Sequence, residues 1–378
     1  MAIPYEEVPS PGYVLDMPRL QRNLELMQRV QRETGVNIIL ALKGFSMWRV
    51  FPFIKQYLAG ATASSLAEAQ LITDEMGVRA HTYSPAYLPN EFDRIVERSS
   101  HLTFNSWTQY EQFQARVAGG DCSIGIRVNP EYSEVATDLY NPAVPGSRLG
   151  VLASQMPDRL PGDVRGLHAH TLCESSANAT GNLIGAVEEK FGKYFPHLSW
   201  INFGGGHLMT RPGYDLDHLI KVLAAFRQKY PHLDVILEPG SAVAWETGEL
   251  VSTVLDIVDS GGITTAILDV SFTCHMPDTL EMPYRPTVLG ATDPQPGKPT
   301  YRLGGVSCLA GDFMTEYSFE KPLQIGDRLV LWDMMHYTMV KTTTFNGVSH
   351  PAICIWHESD ELEVVREFGY QDFKNRLS

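Results

Sequence analysis

Residues 37–43, Asn-Ile-Ile-Leu-Ala-Leu-Lys, followed at once by Gly44, decide how the chain is read, because an apolar strand-like run ends there in a single cation. Lys43 admits two interpretations. Its aliphatic stem could cover apolar surface while the ammonium stays in water. In a dry pocket, by contrast, a lysine loses its proton readily and becomes an amine nucleophile able to form a Schiff base. What the rest of the chain builds around it decides between them.

Working outward, similar short β-rich runs recur at 60–64, 79–84, 101–105, 123–129, 164–170, 199–204 and 234–238, eight in all with the first. Helix-like stretches separate them, among them 66–76, 106–117, 181–194 and 215–229, several opened by Ser or Asp in a capping position. Eightfold strand–helix alternation is the pattern of an α/β fold, a parallel (β/α)8 TIM-like barrel, and residues 14–244 fit the usual barrel length of ~250. After residue 245 the texture changes to strand-like runs with turns, such as ELVSTVLDIVDS, DRLVLWD and HPAICIWH. Residues 245–378 therefore read as an all-β C-terminal domain, with residues 1–13 either joining it or capping the barrel.

Bulk properties narrow the function. The 378 residues carry 30 basic and 44 acidic side chains, a net charge of −14, which argues against nucleic acid as a partner and suits a cationic ligand. Five cysteines form no CxxC pair, so neither a disulfide framework nor a structural zinc site is expected. The N-terminus lacks a basic-then-apolar signal and no apolar stretch reaches membrane-spanning length, so the expectation is a cytoplasmic protein with no membrane partner.

In such barrels chemistry sits at the C-terminal ends of the strands. The first strand ends at Lys43 and the fifth in Arg127-Val128-Asn129. The sixth ends in His168-Ala169-His170, whose i, i+2 spacing points both rings to one side. The seventh runs into Gly204-Gly205-Gly206 and the eighth ends in Glu238-Pro239-Gly240. Each element has a plain alternative: a tight turn for the glycines, a packed core pair for the histidines, a turn for Glu-Pro-Gly. Two metal-ligating histidines are a further option, but no third ligand stands at a usual spacing, so no metal is expected. Taken together, a Schiff-base lysine, an anion-holding glycine turn, a flat ring to stack and a carboxylate for a ring nitrogen are what pyridoxal phosphate requires.

At this point the chain resembles the fold-type III, alanine-racemase-like pyridoxal-phosphate decarboxylases, from ALKG at 41–44 to FNG at 345–347. Within them it is similar to the branch acting on carboxylated polyamines, through ALKGFS, TASSLAEA at 62–69, HMPDTLEMPYRP at 275–286 and GGVSCLAGD at 304–312. The resemblance implies pyridoxal 5'-phosphate as cofactor and decarboxylation of carboxynorspermidine and/or carboxyspermidine to norspermidine or spermidine plus carbon dioxide. The runner-up is diaminopimelate or another basic amino acid as substrate. A catalytically silent cofactor-binding relative is the non-enzyme alternative.

Carried onto this sequence, the resemblance makes Lys43 the lysine that bonds the cofactor, His170 the stacking imidazole and Glu238 the partner of the ring nitrogen. Arg127 supports these two, while Gly204, Gly205, Gly206 and Tyr337 match phosphate-binding positions. Cys308 matches a proton-donating cysteine contributed across a homodimer with shared active sites. Asp312 is expected to read the amine end of the substrate, assisted by Leu309, His275, Asp278 and Glu281. Two departures stand out: Leu172-Cys173 follows the stacking histidine where relatives have Gly-Ser, and Ser241 stands where they have Arg. Leu309 replaces the acid that follows the cysteine in ornithine-specific relatives, which argues against ornithine as substrate.

Overall fold

A computed structural model describes residues 3–281 and 283–378. The chain divides into two compact units, one of residues 23–243 and one made of residues 1–22 with 244–378.

The first unit is the expected parallel barrel. Its strands are Asn37–Ile38 with Leu40–Ala41, Ala61–Ala63, Ala80–Tyr83, Ser99–Phe104, Ser123–Asn129, Val164–His168, Trp200–Asn202 and Asp234–Leu237. The opening run at 37–43 closes the sheet by facing two neighbours in alternation. Ile39 and Ala41 donate their N–H groups to Leu237 and Pro239 of the eighth strand, whereas Leu40 and Leu42 donate to Gly60 and Thr62 of the second. The period-2 alternation of the strand backbone thus joins first strand to last.

Helices follow the expected places. Trp107–Val117 and Leu216–Lys229 are N-capped by Ser106 and Asp215, whose side chains accept the N–H groups of Gln109 and His218. Ala177–Phe191 is capped likewise by Ser176. The segment expected as one helix over 66–76 is an α-helix at Leu66–Leu71 that widens to a π-turn at Ile72–Met76. Among the described residues no helix is long and apolar enough to cross a membrane.

The second unit is built on a nine-stranded mixed sheet. Strand Gly12–Asp16 sits inside it, antiparallel to Gly248–Ser260 and parallel to Ala352–Trp356. Val14 and Leu15, expected at the start of the barrel, therefore lie in the sheet, where both are fully buried. A strand whose five residues, Gly-Tyr-Val-Leu-Asp, are all buried needs partners for its backbone groups along both edges, and the sheet supplies them. Short helices at Phe272–His275, Asp278–Glu281 and Tyr370–Lys374 interrupt the all-β expectation.

Candidate active site

The site is assembled at the C-terminal ends of the barrel strands. After Ala41 the chain turns, the N–H groups of Gly44 and Phe45 both donating to the Ala41 carbonyl at 3.0 and 3.3 Å, and Lys43 projects from that turn. Gly44 is required there: a Cβ would come within 2.7 Å of Gly240 Cα, so the ends of the first and eighth strands abut backbone to backbone. Lys43 reaches solvent at the mouth but is closely ringed by protein. Desolvation first, then the Arg127 charge, lower its pKa against the opposing pull of Glu238, Cys173 and Glu68. Its Nζ lies 3.3 Å from His170 Nε2.

His170 is held from two directions. The Gly205 N–H donates to Nδ1 at 3.0 Å, so the neutral ring carries its proton on Nε2, facing Lys43. Burial, Lys43 and Arg127 all push its pKa well below the usual histidine value, which keeps the ring neutral. Arg127, itself buried, donates from Nη2 to the His170 carbonyl at 3.0 Å and lays its guanidinium 4.5 Å from the centre of the Tyr83 ring.

Glu238 is buried beside them. Asn202 donates from Nδ2 to Oε1 at 2.6 Å, and the same side chain accepts the Gly204 N–H through Oδ1 at 2.8 Å. Burial raises the Glu238 pKa, opposed by the Asn202 hydrogen bond, Lys43, a hydrogen bond from Thr62 and Arg127. Asn202 was not anticipated. Its signal in the sequence is a polar amide inside the apolar strand Trp-Ile-Asn-Phe, two residues before the glycines. Glu68 was also missed, although it sits in the capping sequence Ser64-Ser65-x-x-Glu68: its carboxylate accepts the Ser64 N–H at 2.6 Å, and its charge reaches Lys43.

The glycine run does more than expose N–H groups. Those of Gly204 and Gly205 are already taken by Asn202 and His170, and Gly206 is the one of the three that neither side chain engages. The run chiefly permits close approach. A Cβ on Gly204, whose φ is +68°, would meet His170 Cβ at 2.4 Å, and one on Gly205 would meet the Glu238 carbonyl oxygen at 2.3 Å. Leu172 is buried at its departure position, and burial raises the thiol pKa of the half-buried Cys173.

In the sheet unit the expected residues divide. Cys308 is exposed, its N–H donating to Asn346 Oδ1 at 2.9 Å, and Leu309 beside it is 44% exposed. Tyr337 adopts a φ of +52°, a conformation that is sterically costly for a bulky residue.

Asp312 requires correction as a free acid for a substrate amine. It is 4% exposed, and its two oxygens accept the N–H of Thr273 and both the N–H and the hydroxyl of Ser307. The carboxylate ties down the loop that carries Cys308. His275 also departs from expectation: it is fully buried, accepting the Ser271 N–H at Nδ1 and donating from Nε2 to the Ser349 carbonyl at 3.0 Å. Asp278 and Glu281 both pair with Lys341, the second at 2.7 Å, so their charge is largely offset within the chain.

The barrel residues fit pyridoxal phosphate on structural grounds: an amine of lowered pKa, a buried carboxylate with one oxygen not hydrogen-bonded by Asn202, and beside them a glycine turn on which any Cβ would collide with neighbouring protein atoms. Among the described residues no group of three or more His, Cys, Asp or Glu is arranged to hold a metal ion.

Comparison with known proteins agrees. The family model described as pyridoxal-dependent decarboxylase, C-terminal sheet domain, matches residues 13–335. A carboxyaminopropylagmatine decarboxylase of Synechocystis sp. is 52% identical over 98% of this chain and 96% of its own. A carboxynorspermidine/carboxyspermidine decarboxylase of Campylobacter jejuni is 41% identical over 98% and 99%. The crystal structure of carboxynorspermidine decarboxylase complexed with norspermidine, from Campylobacter jejuni, superposes with a TM-score of 0.90 at 40% identity, covering 98% of this chain and 100% of that one.

Proposed function

The chain belongs to the pyridoxal-dependent decarboxylases, and we propose that within that family it removes the α-carboxylate of a carboxylated aminopropyl polyamine. Carboxynorspermidine and carboxyspermidine are the primary substrates of this reading, with norspermidine or spermidine and carbon dioxide as products. The observation that carries it is the 3.3 Å approach of Lys43 Nζ to His170 Nε2, in a pocket that also holds Glu238. The 52% identity to a carboxyaminopropylagmatine decarboxylase favours a second reading, in which the far end of the substrate is a guanidinium.

Bound pyridoxal phosphate supplies an electron sink beside the bond that breaks. Lys43 would hold it through its aldehyde, His170 would stack on its ring, Glu238 would face its ring nitrogen, and the Gly204–Gly206 turn would take its phosphate. Of the chain's own groups, Asn202 keeps Glu238 oriented and favours its ionised form. Arg127 fixes the His170 backbone and adds positive charge at the mouth. Tyr337 for the phosphate and Cys308 as the donor that protonates the carbon left by carbon dioxide are assigned on sequence similarity.

A homodimer with shared sites belongs to the same reading. Val306, Leu309, Phe313 and Phe345, close to Cys308 in sequence or through Asn346, are each 39–46% exposed, an apolar patch of the kind that a second subunit covers. The five unpaired cysteines suit the reducing cytoplasm.

Product analysis on a panel of carboxynorspermidine, carboxyspermidine, carboxyaminopropylagmatine, diaminopimelate, ornithine and lysine tests the proposal. The expected kcat/KM for a carboxylated polyamine exceeds that for the simple amino acids by at least ~100-fold, worth about 2.7 kcal/mol. Comparable turnover of diaminopimelate or ornithine overturns it, and a preference for the guanidino substrate selects the second reading.

A further inference from the structure

His168 and His170 project from the same side of one strand end, with ring centroids 6.5 Å apart and planes within 24°. Only His170 is engaged at both nitrogens. His168 is 2% exposed, and neither of its ring nitrogens has a hydrogen-bond partner among the described residues. Its Nε2 lies 3.5 Å from Glu238 Oε2, a few tenths of an ångström beyond a good hydrogen bond. Tyr83 packs its edge against the ring at 5.4 Å. Burial first, then the charges of Arg127, Lys43 and His81, hold the His168 pKa well below the usual histidine value, while Glu238 faces its Nε2, so the ring is neutral with one N–H to give. Facing Glu238 are Asn202, Lys43, Thr62 and Arg127.

We infer that His168 is a positioning residue for the decarboxylation: its Nε2–H closes on Glu238 Oε2, so that the carboxylate, gripped at Oε1 by Asn202, is oriented and kept ionised toward the cofactor's ring nitrogen. The inference rests on the assignment of Glu238 to that nitrogen given above. A neutral donor suits this place. It stabilises the carboxylate without adding a third cation beside Arg127 and Lys43, and with Asn202 and Thr62 also donating, one of the four carboxylate lone pairs is left for the ring nitrogen. Deletion of the donor should leave a buried acid that binds its proton more tightly.

Isotope-edited infrared spectroscopy of the cofactor-free protein reads Glu238 directly, with Glu238→Gln identifying its band. In His168→Phe the protonation midpoint of Glu238 should rise by about one pH unit, a ~10-fold tighter proton. In His168→Gln, whose amide reaches the same position, it should stay close to wild type. An unmoved midpoint in His168→Phe, or equal shifts in both variants, overturns the inference. If the Phe variant does not fold, the wild-type protein decides: the nitrogen-15 signal of the His168 Nε2–H should change when Glu238 is replaced by Gln, and a signal that does not change counts against the contact. In the loaded enzyme, a cofactor ring nitrogen whose nitrogen-15 shift ignores Glu238→Gln would instead remove the underlying assignment of Glu238, a failure separate from the infrared result.

Discussion

The backbone N–H of Gly205 donates to Nδ1 of His170 at 3.0 Å, and this bond settles what the opposite ring nitrogen can do. With Nδ1 occupied as an acceptor, Nε2 carries the proton and faces Lys43 Nζ at 3.3 Å. A neutral donor so placed is compatible with a lysine that must give up its own proton to act as a nucleophile.

Gly205→Ala should break this arrangement, because the added Cβ would lie 2.3 Å from the Glu238 carbonyl oxygen, an atom that cannot move alone. The expected cost is about 1–3 kcal/mol of stability, with cofactor affinity at least ~10-fold weaker by fluorescence titration. Gly162→Ala, where a Cβ meets nothing within 4 Å, should change neither.

Lys43 should capture pyridoxal phosphate with a rate that rises with pH through a midpoint below the ordinary lysine value of 10.5, since burial and Arg127 lower its pKa. Glu238→Gln should move that midpoint lower still, because the Glu238 charge opposes the shift. Stopped-flow absorbance of the cofactor-free protein follows the rate, and borohydride reduction should place the label on the peptide containing Lys43.

Acid stability should depend on His275, whose folded pKa is depressed by burial to about 4 from 6.5. The sign follows: between those values the unfolded chain binds the proton and the folded one does not. The neutral ring therefore contributes stability that is present above pH 6.5 and is lost as pH falls toward 4. Urea unfolding should show a slope of up to about 1.4 kcal/mol per pH unit from this residue, and His275→Gln should flatten that share of it.

Asp312→Asn should lower kcat at least ~10-fold, about 1.4 kcal/mol, while KM for a carboxylated polyamine changes less than ~2-fold. The carboxylate organises the Ser307–Cys308 loop through Thr273 and Ser307. A selective rise in KM would return Asp312 to the substrate.

If Cys308 of one chain serves the barrel of another, mixing Lys43→Ala and Cys308→Ala proteins should restore activity in heterodimers. Random reassortment puts one complete site in half of the dimers, so recovery should approach about a quarter of wild type. Demonstrated subunit exchange with no recovery refutes the shared site.

The sequence by itself determined the barrel and the residues at its mouth. Strand alternation and capping are local properties, and Lys43, Arg127, His170 and Glu238 each end a strand whose apolar pattern is readable without neighbours. Tertiary structure decided which polar groups are available. Asp278 and Glu281 look like free acids until Lys341, some sixty positions away, closes on both, and Asp312 looks like one until Thr273 and Ser307 surround it. Asn202 became part of the site only when Glu238, at the end of the eighth strand, was brought within hydrogen-bond reach of its amide. The N-terminal strand was undecided for the same reason, since the run Gly-Tyr-Val-Leu reads as a buried strand without saying between which partners. Charge and burial are properties of a residue's neighbours, and neighbours distant along the chain leave no periodic trace in it.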